Sequence, residues 1–249
     1  MKISSTLLAV AASLAVPAIA SAVTYQAGPD LIVYEGASGA LPAVNGAWSY
    51  GTAPSFGGVF TPFLITEHYD SIALPGVPAG ALQGWQEDQN ADLVPAVAVN
   101  VTGGDVTSTC CGIYEANEIW FHGGPPGSGR SVAVVRWTAP SEGTATYFAE
   151  FIAEGGGPQQ VAVLINGLSA PLGFLGSSGG TSTANGTEAT SPFAFAVAPG
   201  DTIDFALNAY NSTGLFATVD LVPEPTSAAL LGLAGAGLIS RRRRAFDKH

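Results

Sequence analysis

Glu118-Ile-Trp-Phe-His122 is the stretch of this 249-residue chain whose residue types come nearest to a binding surface. Read as a strand, with side chains alternating between faces, it puts Ile119 and Phe121 on one side and Glu118, Trp120 and His122 on the other. The first side is core. The second carries an indole between an acid and an imidazole, a combination suited to a sugar: a flat ring for the apolar face of the pyranose and polar groups for its hydroxyls. Trp85, in the segment Gln83–Gln86 that reads as a loop, is a second ring able to reach that face. The competing reading of both tryptophans is core packing.

Glu87-Asp88-Gln89-Asn90-Ala91-Asp92 gathers oxygen donors into one short loop, which makes Glu87, Asp88 and Asp92 candidate calcium ligands. The spacing fits neither an EF-hand nor a calcium-binding nonapeptide repeat, and a solvated acidic loop has the same composition. No other cofactor is expected. Signals for catalysis are few. There is no strand-to-helix nucleophile elbow of the G-x-S-x-G kind and no H-E-x-x-H helix. The histidines are His68, His122 and His249, which leaves little for a His-based triad. A carboxylate pair for glycoside hydrolysis is decided by separation in space. The sequence points to a protein that is not an enzyme.

Charge narrows the partners. Six of the eight basic residues, Lys2, Arg241, Arg242, Arg243, Arg244 and Lys248, lie near the termini. Between Val23 and Val222 there are two arginines, Arg130 and Arg136, and no lysine, against seventeen Asp and Glu, a net charge near −15. Such a surface repels phosphate backbones, so nucleic acid is excluded as a partner. The two cysteines are adjacent, Cys110-Cys111, and cannot staple distant parts of a fold. A vicinal disulfide, an intermolecular bridge and two free thiols all remain open.

The elements that must position these residues read as β throughout. Runs rich in Val, Thr, Phe, Tyr and Trp recur between Gly, Pro, Asn and Ser. They are Leu31–Glu35, Val59–Ile65, Ala96–Thr102, Glu118–His122, Ser131–Thr138, Thr144–Glu154, Gln160–Ile165, Phe193–Ala198, Thr202–Ala209 and Phe216–Leu221. No window shows a helical period with caps. The pattern predicts an all-β domain over 23–221, a two-sheet, jelly-roll-like sandwich. Leu74–Ala81 and Gly123–Gly129 are loops, and Gly176–Thr190 is a long loop or a weak edge. In Ser131–Thr138, Trp137 shares a core face with Ala133 and Val135, while Arg136 points the other way, exposed or paired with an acid.

Both ends carry segments of another kind. Lys2 precedes an apolar run, Leu7–Ile19, and Ala20-Ser21-Ala22 follows with small residues. This is the grammar of a signal peptide, residues 1–22, read by the Sec machinery and cleaved after Ala22. At the other end, Val222-Pro-Glu-Pro225 is followed by an apolar run from Ala228 to Ile239 and by Arg241–Arg244. Twelve residues span about 18 Å as a helix, against a bilayer core of about 30 Å. The run crosses only by extension into Thr226–Ser240 with snorkelling arginines, which mark the cytoplasmic side. The expectation is a short C-terminal apolar helix that anchors the chain transiently in the inner membrane.

This order of elements resembles the PEP-CTERM sorting signal of exopolysaccharide-producing Gram-negative bacteria, with Pro223, Glu224 and Pro225 as the motif, the apolar helix after it, and Arg241, Arg242, Arg243 and Arg244 as the basic cluster. The resemblance covers 222–249. It implies processing near Pro-Glu-Pro by an exosortase, a membrane cysteine peptidase or transpeptidase, and delivery to the cell surface or extracellular matrix. The body also resembles a secreted β-sandwich domain common in proteins with this tail. The matching pieces are Trp48-Ser-Tyr-Gly51, Pro95-Ala-Val-Ala-Val-Asn100, Ile119-Trp-Phe-His-Gly123, Val135-Arg-Trp-Thr-Ala-Pro140, Val163-Leu-Ile-Asn-Gly167 and Pro199-Gly-Asp-Thr-Ile-Asp-Phe205. Such domains look like carbohydrate-binding modules, so the resemblance implies a non-catalytic polysaccharide binder. The alternatives are a structural or adhesion protein of the matrix and a glycan-active enzyme.

Overall fold

The computed structural model describes residues 21–35, 42–87, 94–110, 112–154, 159–170, 181–184, 186–208 and 211–224. Most of the expected signal peptide and the tail beyond Glu224, including the expected apolar helix, lie outside them. Residues 22–222 form a compact unit of their own. Its architecture is all-β, as the patterning requires, in two antiparallel sheets. The first runs, in spatial order, Thr187–Ala189, Gly143–Ala153, Ser212–Pro223, Ile119–His122, Ala96–Asn100, Leu82–Gln86 and His68–Tyr69. Val23–Gln26 pairs with the far end of Ser212–Pro223, and Phe193–Val197 with the start of Gly143–Ala153. The second sheet runs Leu168–Ser169, Gln159–Ile165, Thr202–Asn208, Val132–Thr138, Trp48–Ala53 and Val44–Asn45.

Strand parity builds the core. Gly143–Ala153 buries Ala145, Tyr147, Ala149 and Phe151 and turns the residues between them outward. Ala133, Val135 and Trp137 face the same interior, as expected, together with Ile203, Phe205 and Leu207 of the neighbouring strand. Arg136 points away, where its guanidinium forks onto Asp204 at 2.6 and 2.8 Å and lies 4.2 Å from the centre of the Phe60 ring.

Each sheet also has a covered outer face. On the second sheet Val132, Val134, Ala162, Leu164 and Ala206 lie beneath Phe56 and Phe60. On the first, Leu82, Ala96, Ala98 and Trp120 lie beneath Ile72, Leu74 and Tyr114. Tyr114 belongs to a small hairpin of Val106–Ser108 and Gly112–Tyr114. The buried Asn100 amide ties that hairpin down by donating to the Tyr114 and Gly104 carbonyls at 2.9 and 2.7 Å.

The structure corrects several elements. Leu31–Glu35 is the end of a helix, Ala27–Glu35, and not a strand. Its β-rich composition loses to its start: Pro29 sits in the first turn, and the Asp30 carboxylate accepts the Gln26 N–H at 3.0 Å. Gly28 lets that turn press on the backbone of Asn117, where a Cβ would stand 1.7 Å from the carbonyl oxygen. Leu82–Gln86 is a strand, so Trp85 is not on a loop. Trp48–Ala53, outside the expected runs, is a strand buried along its whole length. Val59–Ile65 retains only Thr61–Pro62 as strand. Thr181–Ala184 and Thr187–Ala189 are short edge strands inside the predicted weak edge. Among the described residues, no helix is long and apolar enough to cross a membrane.

Candidate functional site

The Glu118-Trp120-His122 face exists, as parity demands, but it is covered. Trp120 is 1% exposed and packs edge-on against Tyr114, ring centroids 6.0 Å apart. Glu118 is equally buried, and His122, half-buried, places its Nδ1 2.7 Å from the Gly123 carbonyl oxygen. Trp85 lies on the other face of the same sheet, stacked on Tyr50 at 5.0 Å in the main core. The two indoles therefore do not meet, and neither offers a ring face to solvent. What sequence could not supply was the cover: Ile72, Leu74 and Tyr114 come from other segments.

The acidic loop is also otherwise engaged where it is described. Glu87 pairs with Arg130 at 3.3 Å, while Asp88 and Asp92 lie outside the described residues. Arg130 is the centre of that corner. It grips the buried Glu67 with two nitrogens at 2.6 and 3.2 Å, donates through Nε to Thr52 Oγ1, and lies 5.1 Å from the centre of the Phe63 ring. Among the described residues, no group of three or more His, Cys, Asp and Glu is arranged to hold a metal.

The chemistry of the covered face lies in Glu118 and a partner that spacing did not reveal. Its carboxyl meets that of Glu154, at the end of the long Gly143–Ala153 strand. Glu118 Oε2 accepts the Glu115 N–H at 2.6 Å. Its Oε1 and both carboxyl oxygens of Glu154 are buried with no donor, so the contact is a hydrogen bond only when a proton lies between the two groups. Burial pushes Glu118 up to about 7, against the opposing help of Glu154 and the Glu115 amide. Burial and the Glu118 charge push Glu154 up to about 11. The Tyr114 phenol is raised as well, first by burial and then by Glu154. Gly214 makes room for the pair: a Cβ there would stand 1.7 Å from Glu118 Oε1.

Cys110, on the turn of the hairpin beside this pair, is disulfide-bonded, with its Sγ 3.1 Å from the Ser108 hydroxyl. Cys111, the other cysteine of the sequence, lies outside the described residues.

Open surface is found elsewhere. A cleft of about 370 Å³ is lined by Thr24, Tyr25, Asp30, Asn45, Gly46, Ala47 and Trp48. Trp48 Nε1 donates to the Asp30 carboxylate at 2.9 Å, and Asn45 Nδ2 donates to the Asp30 carbonyl at 2.9 Å. Acid, amide and aromatic ring are thus fixed around one opening.

The remaining candidates concern the tail. Ser212–Pro223 continues as a strand to Pro223, half-buried, and Glu224 follows, exposed. Pro225 and Arg241–Arg244 lie outside the described residues, as does Ala20; Ala22 is exposed at the start of the body. Residues 221–244 match the PEP-CTERM protein-sorting motif. The PEP-CTERM motif marks the chain for export, exosortase processing and a surface or extracellular location. It covers the tail alone. No curated protein matches the chain.

Proposed function

We propose that this exported, exosortase-sorted protein is displayed at the cell surface or in the extracellular matrix as a non-catalytic polysaccharide-binding module on a jelly-roll-like sandwich. A signal peptide ending at Ala22 starts its export, and the apolar tail holds it briefly in the inner membrane until processing. The sorting motif supports the destination. The cleft at Asp30, Asn45 and Tyr25 supports the binding: it is open, holds room for a sugar ring, and pairs hydroxyl-binding groups with an aromatic edge. This reading moves the ligand away from the Trp120 face, because Trp120 and Glu118 are covered.

The test is affinity electrophoresis of the full chain in mild detergent against a panel of polysaccharides that includes the host's own matrix. Retardation by one glycan is expected, lost in Thr24→Arg, which blocks the rim of the cleft from an exposed position. Retention that survives Thr24→Arg places the ligand elsewhere. No retardation by any glycan favours the second reading, a structural or adhesion protein. That reading has its own observation: an apolar groove of about 310 Å³ lined by Ile165, Leu168, Ser169, Phe193 and Phe195, with Leu168 73% exposed. A glycan-active enzyme ranks third, since the Glu118–Glu154 carboxyl pair is shielded from any chain in solution.

A further inference from the structure

The body is poor in cations, and those it has are spent. Arg130 is held by Glu67 and Glu87, and Arg136 by Asp204. There is no lysine between Val23 and Val222. Among the described residues, the Glu118–Glu154 pair therefore has no arginine or lysine to balance it. Two carboxyl groups out of water cannot both ionise without a counter-charge, so they hold a proton between them or a bound cation.

The atoms around the pair fit the second role. Glu118 Oε1 and both oxygens of Glu154 are buried and receive no hydrogen bond. The Tyr114 hydroxyl, on a fully buried side chain, stands beside Glu154, and the hydroxyls of Ser108 and Ser212 are its partners. Three neutral hydroxyls at a carboxyl pair are further oxygen donors for a ligand. Oxygen donors alone, with two negative charges, match a hard divalent ion and leave no residual charge. A third acid would leave the buried site negative. The glycines complete the fit: Gly214 leaves space above its strand for Glu118, and Gly112 packs against Glu154, where a Cβ would meet Glu154 Cβ at 3.0 Å.

We propose that Glu118 and Glu154 form a calcium site, completed by the hydroxyls of Tyr114, Ser108 and Ser212. Its function is to fasten the Val106–Tyr114 hairpin to the first sheet. The ion joins three parts of the fold: the hairpin, the end of the Gly143–Ala153 strand, and the sheet at Glu118 and Ser212. The site is separate from the Asp30 cleft and from the acidic loop at Glu87.

The test uses the full chain in detergent, stripped with a chelator at pH 8 and titrated with calcium chloride, followed by calorimetry and thermal melting. Terbium supplies a second signal, sensitised by Tyr114 and Trp120. One calcium per chain is expected, with a rise in melting temperature of at least several degrees. Both the binding and the rise should vanish in Glu154→Gln and in Glu118→Gln, which keep the shape of the pair, and persist in Glu87→Gln. A wild-type melting temperature indifferent to calcium overturns the proposal. So does a rise of the same size in Glu154→Gln, which would be general screening of an acidic surface.

Discussion

Glu118 and Glu154 share a buried contact that neither arginine among the described residues balances. In the absence of divalent ions this makes the folded body a proton acceptor. Both folded pKa values are raised above the ordinary 4.5, so the stabilisation is complete below that value. It falls as pH rises through about 7 for Glu118 and onward toward about 11 for Glu154. The charges of Glu115 and Asp105 face the same pair and add to its resistance to ionising. With chelator present, stability should fall between pH 5 and pH 9 by on the order of 2 kcal/mol, which lowers the melting temperature by roughly 4–8 °C for a domain of this size. Glu154→Gln should flatten that slope. A wild-type profile that is flat, or that rises with pH, would show that the pair does not hold its proton in the folded state.

Gly214→Ala tests the same corner by sterics. The new methyl cannot coexist with Glu118 Oε1 at 1.7 Å, so the carboxyl must move or the strand must shift. The expected loss is about 1–3 kcal/mol, typical of overpacking, read by chemical denaturation. The pH slope should shrink with it, because an expelled carboxyl regains water.

Trp120→Ala should act as a core mutation. The ring fills the space among Leu82, Ala96, Ala98, Ile72, Leu74 and Tyr114, and its removal should cost about 3–5 kcal/mol. Trp120→Phe should cost less and leave polysaccharide retention unchanged. Loss of retention in a Trp120→Phe chain that is still folded, by circular dichroism, would return this residue to the ligand site.

Arg130→Met should destabilise through what it leaves behind. Glu67, 7% exposed, would keep only the Leu64 N–H at 2.6 Å and lose its cation. A broken buried pair costs about 3–5 kcal/mol; the half-exposed Glu87 on the other flank lowers that to about 2–3 kcal/mol. Pairing Arg130→Met with Glu67→Gln should recover part of the loss, measured as a double-mutant cycle.

Deleting Pro223–Pro225 should abolish processing and surface delivery while leaving the body folded. The check is the mass of the C-terminal peptide together with cell fractionation. Unchanged mass and unchanged delivery would remove the role of the sorting motif.

The parts of this fold legible in the sequence are those decided by neighbours along the chain. In Val132–Thr138 the one charge, Arg136, names the outward face, and the interior place of Trp137 beside Ala133 and Val135 follows from strand parity against it. The parity of Glu118 and Trp120 was legible for the same reason, but parity names a face and not what lies on it. Tyr114 covers Trp120 from a hairpin whose docking depends on the Asn100 amide, and nothing local announces that contact. Glu154 closes a strand that patterning finds, yet its meeting with Glu118 is set by sheet order. The helix at Ala27–Glu35 was hidden for the converse reason. Leu31-Ile-Val-Tyr34 is good strand sequence, overruled by the close seat of Gly28 on Asn117.

Val23 lies opposite Leu221 in the first sheet, and Thr24 hydrogen-bonds Asp220. The first and last strands of the body are therefore hydrogen-bonded to each other. Val23–Gln26 cannot peel away without uncovering the far end of Ser212–Pro223, so the two ends of the body fray together or not at all.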